Sequence, residues 1–444
     1  MLPFVRTYLV VNTKLKGGKM NQEKAEVATI GKEFYSPMFR ALEKTRWRRE
    51  CPEFTDDHFL KVGIGRCLND VRSGRDWIQK AIAILKLSVT VSRFFTSLKS
   101  HRRLGLLGNI ATLVRSEADE NAPNSDDPFS KHSELDGFAI YAADGHFHGC
   151  SAHEEAIGGK RHPVGHFFGM NLRTQTMNHL DVGRPKNKRE HDITALKRLE
   201  GNVLRMGEVN GRKVILAYDP AIYEFAQWKR WKQSKGIYVI TRMKDKIRLL
   251  ICDERVFDRE DPRNVGIVSD QLGETNSGDI LRKIVYVEPA TGRTFVFLTN
   301  EMTLPPGLIA FIYKKRWDIE KVFDQFKNKL MENRAWAKSP NAKCAQAKFM
   351  ALTHNLTLLL ERKIELEEGI SDTKIEKKRK QRIEADRKTI QKAGRKENPL
   401  VTQPYKAVQR SFQFIRWLRN SLLVETSWRQ AIIDLRPLMV AYLS

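Results

Sequence analysis

Tyr313, Arg316, Glu320 and Lys327 lie in the run IYKKRWDIEKVFDQFKNKL with the spacing Y-x2-R-x3-E-x6-K. The stretch has helical periodicity and follows Thr303-Leu304-Pro305-Pro306, a helix start with proline in the first turn. At about 100° per residue the four side chains fall within roughly 60° of one another around the axis. One face thus carries an acid, two bases and a phenol, while Trp317, Phe323 and Leu330 lie largely off it. A carboxylate flanked by phosphate-seeking cations is what a metal-dependent site that cuts DNA needs.

One carboxylate cannot build such a site alone. Phe138 to Ala143 and Lys213 to Tyr218 are apolar, strand-like runs, and each ends in an acid followed by a turn residue: Asp144-Gly145 and Asp219-Pro220. Side chains at carboxyl strand ends of an open α/β sheet meet in the site crevice, which predicts Asp144 beside Asp219 with Glu320 closing over them. Three hard oxygen donors suit Mg2+ or Mn2+. Two such ions about 3.5–4 Å apart would activate a water or a 3′-hydroxyl and stabilise the leaving oxygen of an in-line phosphoryl displacement. Each acid also has an ordinary reading: strand-end aspartates form turns or cap helices, and Glu320 alone is a solvated helix residue. Asp324 rivals Glu320 from about the same face one turn later, whereas Asp318 points elsewhere.

The elements that must position these groups are legible in outline. Residues 1–33 fit no clear element, and Met20 is an alternative start to Met1. Residues 34–116 read as a helical DNA-binding domain, with helices from Thr55 to Val71, Asp76 to Leu87, and a third, RFFTSLKSHRRL, capped by Ser92. The third helix sets Arg93, Lys99, Arg102 and Arg103 beside Phe94, Phe95 and Leu98. A helix-turn-helix-like DNA reader and a small bundle with a solvated charged face both fit this pattern. The acidic, proline-containing stretch 117–136 reads as a linker. Strands then alternate with helices over 137–366, and the β-rich stretch 244–300 explains the long gap between Asp219 and Glu320 as an insertion. Residues 367–444 comprise a highly charged segment and amphipathic C-terminal helices.

Spacing, order and insertion together resemble a bacterial insertion-sequence transposase of the DDE class, in the family with the Y-x2-R-x3-E-x6-K signature and a β insertion before the glutamate. The resemblance covers most of Phe138 to Leu360. It implies an α+β or α/β fold with a ribonuclease-H-like mixed-sheet core, flanked by helical N- and C-terminal regions. It further implies Asp144, Asp219 and Glu320 as ligands of two Mg2+ or Mn2+ ions, and Tyr313, Arg316 and Lys327 as contacts to DNA phosphates near the cleaved end. Phe295, in TFVFLTN, takes the place where some relatives carry a tryptophan that stacks on a flipped base. The partners implied are double-stranded DNA, at the element's ends and at the target, and a second copy of the chain contacting through the C-terminal helices.

Composition agrees with a nucleic-acid partner. The 444 residues carry 78 Lys+Arg against 53 Asp+Glu, a net charge of +25 and a pI near 9.8. An apolar content of 41% supports a folded chain of several domains, and no apolar run approaches the ~18 residues of a membrane span. Five scattered cysteines without a CxxC pair fit a reducing compartment, and the expected location is the bacterial cytoplasm, at the nucleoid. His146, His148, Cys150 and His153 match no standard zinc spacing and read as a strand entering a loop; Trp228 and Trp231 read as packing residues. The expected function is therefore cut-and-paste DNA transposition. The alternatives are a non-catalytic DNA-binding protein derived from such an element and a nuclease on the same fold.

Overall fold

The computed structural model describes residues 28–69, 73–156, 159–184, 192–199, 201–208, 211–219, 224–330 and 332–440. Met1, Met20 and most of the segment 1–33 lie outside these, as does Pro220. Five helices come first: α1 (Ile30–Lys44), α2 (Asp56–Leu68), α3 (Gly74–Ile84), α4 (Val91–Ser97) and α5 (His101–Glu120). Then follow β1 (Phe138–His148), β2 (Val164–Asn171), β3 (Met177–Val182), α6 (Asp192–Arg198), α7 (Gly201–Leu204), β4 (Lys213–Tyr218), α8 (Phe225–Lys235) and β5 (Ile237–Arg242). The stretch expected as an insertion holds β6 (Leu250–Glu254), β7 (Ile267–Glu274), β8 (Ile280–Val287) and β9 (Thr294–Thr299). The chain closes with α9 (Pro306–Asp324), α10 (Pro340–Glu368), α11 (Thr373–Lys392), α12 (Phe412–Leu423) and α13 (Trp428–Met439).

All nine strands form one mixed sheet in the order β3-β2-β1-β4-β5-β9-β8-β7-β6. β1, β4 and β5 run parallel, with β2 and β3 antiparallel on one side, which is the α+β, ribonuclease-H-like arrangement expected. The inserted strands are all antiparallel and extend this sheet through the β9–β5 pairing. Side chains alternate between two cores. Ile140, Ala142, Ile215, Ala217 and Ile240 join α9 and α10 on one face, while Tyr141, Ala143, Leu216 and Tyr218 pack with Trp228 and Trp231 of α8 on the other. Both tryptophans are therefore packing residues, as expected.

The insertion also fixes where α9 begins. Arg282 is buried between Asp270, which accepts two of its hydrogen bonds at 2.6 and 2.8 Å, and the Leu304 carbonyl at 2.7 Å. Glu301 accepts from the backbone N–H groups of Thr303 and Leu304. Gly307 donates its N–H to Asn264 Oδ1 at 2.9 Å, and a Cβ there would lie 2.0 Å from the Arg263 carbonyl oxygen. Only glycine lets the loop 258–264 seat on the first turn of α9.

The helical regions differ from the sequence reading in several details. Thr55 caps α2 as expected, accepting from His58 N. The stretch RFFTSLKSHRRL divides into α4 and α5, because the Ser100 hydroxyl accepts from Arg103 N and starts a second helix. Ser92 lies inside α4, which Thr90 precedes. Residues 117–136 do not behave as a linker: α5 continues to Glu120, Asp126 pairs with Arg362 of α10, Asp127 with Arg173, and Phe129 is buried. The acids that suggest a solvated link in sequence find arginines across the fold. The two ends of the described chain meet, with Ile30 N donating to Thr426 O and Trp428 N to Ala28 O.

Candidate active site

Asp144 is not at a strand end. β1 continues to His148, because β2 pairs with it beyond the reach of β4, from Gly145↔Phe167 to His148↔Val164. Asp144 follows Ile140 and Ala142 on the α9 side of the sheet. β1 and β4 are in register from Phe138↔Lys213 to Ala143↔Tyr218, so the next step opposes Asp144 to Asp219, which follows Ile215 and Ala217 on the same side. Adjacent strands lie about 4.8 Å apart. The two aspartates thus stand on neighbouring strands facing α9, as the sequence predicts, although one sits within its strand and the other just past it.

α9 brings its charged face down on them. Arg316, buried among aromatic rings, donates from one terminal nitrogen to Asp144 Oδ2 at 3.0 Å and from the other to Glu320 Oε1 at 2.8 Å. Its guanidinium lies 5.4 Å from the centre of the Tyr313 ring and 5.2 Å from that of Trp317. Burial opposes the charge on Arg316, yet Tyr313, Asp144 and Glu320 hold its pKa above the ordinary value. Tyr313 is buried one turn earlier. Burial is the main reason its phenol pKa is raised; Arg316 opposes the rise and Asp219 adds to it. Arg316 thus joins Asp144 to Glu320, and the charge of Asp219 reaches Tyr313 on the same helix.

Arg316 was expected on a DNA phosphate; here it bridges two of the proposed ligands. The i,i+4 contact with Glu320 is local, but the contact with Asp144 crosses 172 residues and depends on the fold. Asp324, the rival to Glu320, turns away: it accepts from Asn328 Nδ2 and from Gln409 Nε2 at 2.9 Å. Lys327 is exposed in a π-helical turn, Gln325–Lys329, where the 100° period fails. Its charge still reaches His146 and His148. Phe295 is half-buried on β9, its ring parallel to Phe297 at 6.3 Å, and Phe297 meets Tyr313 at 5.0 Å. An aromatic row therefore leads from Phe295 to Arg316.

Sequence reasoning missed two groups here. Arg242 ends β5 and follows Ile240 on the α9 side, and its charge acts on Tyr313. The signal was the same strand-end position used for Asp219, read only for acids. Trp317, set aside for lying off the acidic face, is 53% exposed beside Arg316.

The four N-terminal cations separate into two pairs. Arg93 and Lys99 are exposed. Arg102 instead donates to both Asp56 oxygens at 2.7 and 2.8 Å, and Arg103 is buried, donating to Ser97 Oγ and the Phe54 carbonyl and stacking on Phe54 and Phe59. Arg102 and Arg103 hold the helical unit together and are not placed to meet a phosphate. The buried carboxylate of Asp56 draws them inward.

The HFH motif points inward as well. His146 and His148 of β1, His166 of β2 and His179 of β3 form a buried row with neighbouring ring centres 4.7, 4.9 and 5.8 Å apart. Neither nitrogen of His148 or His166 has a hydrogen-bond partner among the described residues. Burial, and secondarily Lys327, lowers the His146 pKa to about 4, and burial leads in lowering His148, His166 and His179 well below the ordinary value. The row is apolar packing in neutral form.

The donor set at Asp144, Asp219 and Glu320 is all carboxylate oxygen, which fits a hard divalent ion. Two of the three already share one cation, the Arg316 guanidinium. Among the described residues, no three His, Cys, Asp or Glu side chains are grouped closely enough to hold a metal ion. No helix among these residues is long and apolar enough to cross a membrane. A comparison with curated proteins found no match. A family model described as "Transposase DDE domain" matches residues 135–356, half of the chain, from just before β1 into α10. The match takes in the two strand aspartates, the insertion and all of α9, and the chain therefore belongs to the transposase DDE domain family.

Proposed function

We propose that this chain is a cut-and-paste DNA transposase that binds the terminal inverted repeats of its element, cleaves the DNA there and joins the freed ends to a target. The observation that carries the reading is the convergence of Asp144 and Glu320 on one buried cation, with Asp219 in register beside Asp144. Asp144, Asp219 and Glu320 are the residues that would hold Mg2+ or Mn2+, which when bound supplies Lewis-acid activation of a water or 3′-hydroxyl and stabilisation of the leaving oxygen. The carboxylates offset that charge, and their fixed strand and helix positions orient the scissile phosphate.

Tyr313 holds Arg316 by ring contact, and both line the inner wall of the site. Lys327 and Arg242, on either side of α9, are the outer cations for the phosphates flanking the scissile bond. Phe295 offers a ring at the edge of the same aromatic row for an unstacked base. Arg93 and Lys99 are the remaining contacts to the end sequence, and a homodimer through the C-terminal helices follows from the family resemblance.

The test is Mg2+-dependent cleavage of a labelled end fragment, resolved by strand. Wild type is expected to nick at the element boundary, and Glu320→Gln to lose at least a thousandfold, roughly 4 kcal/mol of transition-state stabilisation, while still binding the fragment. Equal cleavage by Glu320→Gln refutes the site.

A further inference from the structure

We propose that the outer face of α11 is a second duplex-DNA surface, separate from the cleavage site, that grips phosphates without reading bases. The inference rests on the reading above that DNA is the substrate. α11 turns Ile375, Arg379, Ile383, Asp386 and Ile390 inward. At about 100° per residue, Lys377, Lys378, Lys388 and Lys392 fall on the opposite face, separated only by Gln381 and Ala385. All four are exposed, and none makes an ion pair among the described residues. Glu376 and Asp386 lie off this stripe, and Glu384 borders it one turn before Lys388 without pairing with it among the described residues. The lysines span roughly 22 Å at 1.5 Å per residue.

The helix is held as a rigid ridge. Asp372 caps it at Ile375 N, and Lys374 Nζ donates to the Leu438 carbonyl at 3.0 Å. At the other end Arg387 pairs with Glu397 at 2.9 Å, and the chain beyond is pinned to the inserted strands by Arg395 on the Pro289 carbonyl and Asn398 on Val265. Arg379 faces Asp318, on the side of α9 away from Glu320, so the lysines point away from the cleavage site. Like charges four apart, as at Lys388 and Lys392, destabilise an isolated helix. A run of phosphates relieves that repulsion, and the face has no apolar residue of the kind a membrane-surface helix buries. A regular polyanion fits it best.

The experiment measures binding of the full-length protein to a labelled random-sequence duplex by fluorescence anisotropy across a salt series. Lys377→Gln/Lys378→Gln/Lys388→Gln/Lys392→Gln should make the plot of log K against log salt less steep by about 2–4, at about 0.9 per lost phosphate contact, and weaken binding at least tenfold at low salt. The corresponding fourfold arginine variant should bind as wild type, and unchanged circular dichroism shows that folding is intact. An unchanged slope in the glutamine variant overturns the proposal, as does a stripe-dependent interaction with phosphatidylglycerol vesicles and not with DNA. Glu320-dependent nicking of the end fragment reports on the cleavage site alone. Loss of that activity with a stripe-dependent slope sinks the first reading and not this one.

Discussion

Replacing Arg316 by methionine separates its two roles, as an internal counter-ion and as part of a DNA site. Its guanidinium is buried and bridges Asp144, whose side chain is 12% exposed, and Glu320, whose side chain is 35% exposed. Breaking a buried pair by removing one partner costs about 3–5 kcal/mol, since the other charge is stranded. The Glu320 arm is screened by solvent and counts for about 1 kcal/mol or less. Asp144 is partly hydrated, which puts the total for metal-free protein near 3 kcal/mol, a thermal midpoint lowered on the order of 5 °C. The same substitution removes the cation that competes for the carboxylates. Mn2+ at a hundred times its Kd stabilises a folded protein by about 2.7 kcal/mol when nothing competes, and by less where Arg316 must first be displaced. Thermal unfolding in chelator and in Mn2+ should therefore show Arg316→Met well below wild type without metal and recovering more than wild type with it. Calorimetric titration should show tighter Mn2+ binding to the variant, while DNA cleavage falls. Equal midpoints in chelator, or an equal gain from Mn2+ in both proteins, refutes the idea that Arg316 stands in for the metal.

Acid should unfold the protein early. The pKa values of His148, His166, His179 and His354 are depressed in the fold, that of His354 to about 3, so the unfolded chain binds their protons first as pH falls. Their neutral packing is at full strength above about pH 6.5 and is lost from there downward, by up to about 1.4 kcal/mol per pH unit for each. His166→Phe should flatten the dependence of the melting midpoint between pH 7 and pH 5, taken as roughly the upper part of that window; an unchanged slope means the row is hydrated or already charged. Arg103→Ala should cost about 2–4 kcal/mol, because it removes two cation–π contacts and takes the donor from the buried Phe54 carbonyl and Ser97 hydroxyl while Asp56 keeps Arg102, yet leave the salt dependence of DNA binding unaltered. Arg93→Gln/Lys99→Gln should do the reverse, and anisotropy with thermal melts reads both. Gly307→Ala should destabilise by about 1–3 kcal/mol and depress cleavage, since the new Cβ meets the Arg263 carbonyl and tilts the start of α9; wild-type stability would show that the loop yields freely.

Much of the site was legible because its signals are local. The continuous apolar runs before Asp144 and Asp219, and the helical spacing of Tyr313, Arg316 and Glu320, each sit within one element, so side-chain direction follows from backbone geometry. The interruption of the core by β-rich sequence was likewise visible as composition. Features made by pairing across the chain were not. Asp144 looked like a strand end because its own run of apolar residues stops there, and only the β2 pairing carries β1 on to His148. Arg102 and Arg103 looked like a basic face until Asp56, 46 and 47 positions earlier, took both inward. The π turn at Gln325–Lys329 moved Lys327 off the regular period.

The amino-acid sequence by itself determined which groups the proposed chemistry can draw on, two aspartates after apolar strands and a glutamate among cations on a helix, and a charge balance that favours a polyanion. The tertiary structure alone decided where the cations go. A charge leaves water only for a partner, and partners are assigned by the fold. Arg316 is therefore spent on Asp144 and Glu320, Arg103 on the helical core, while Lys377, Lys378, Lys388 and Lys392 of α11 remain facing out.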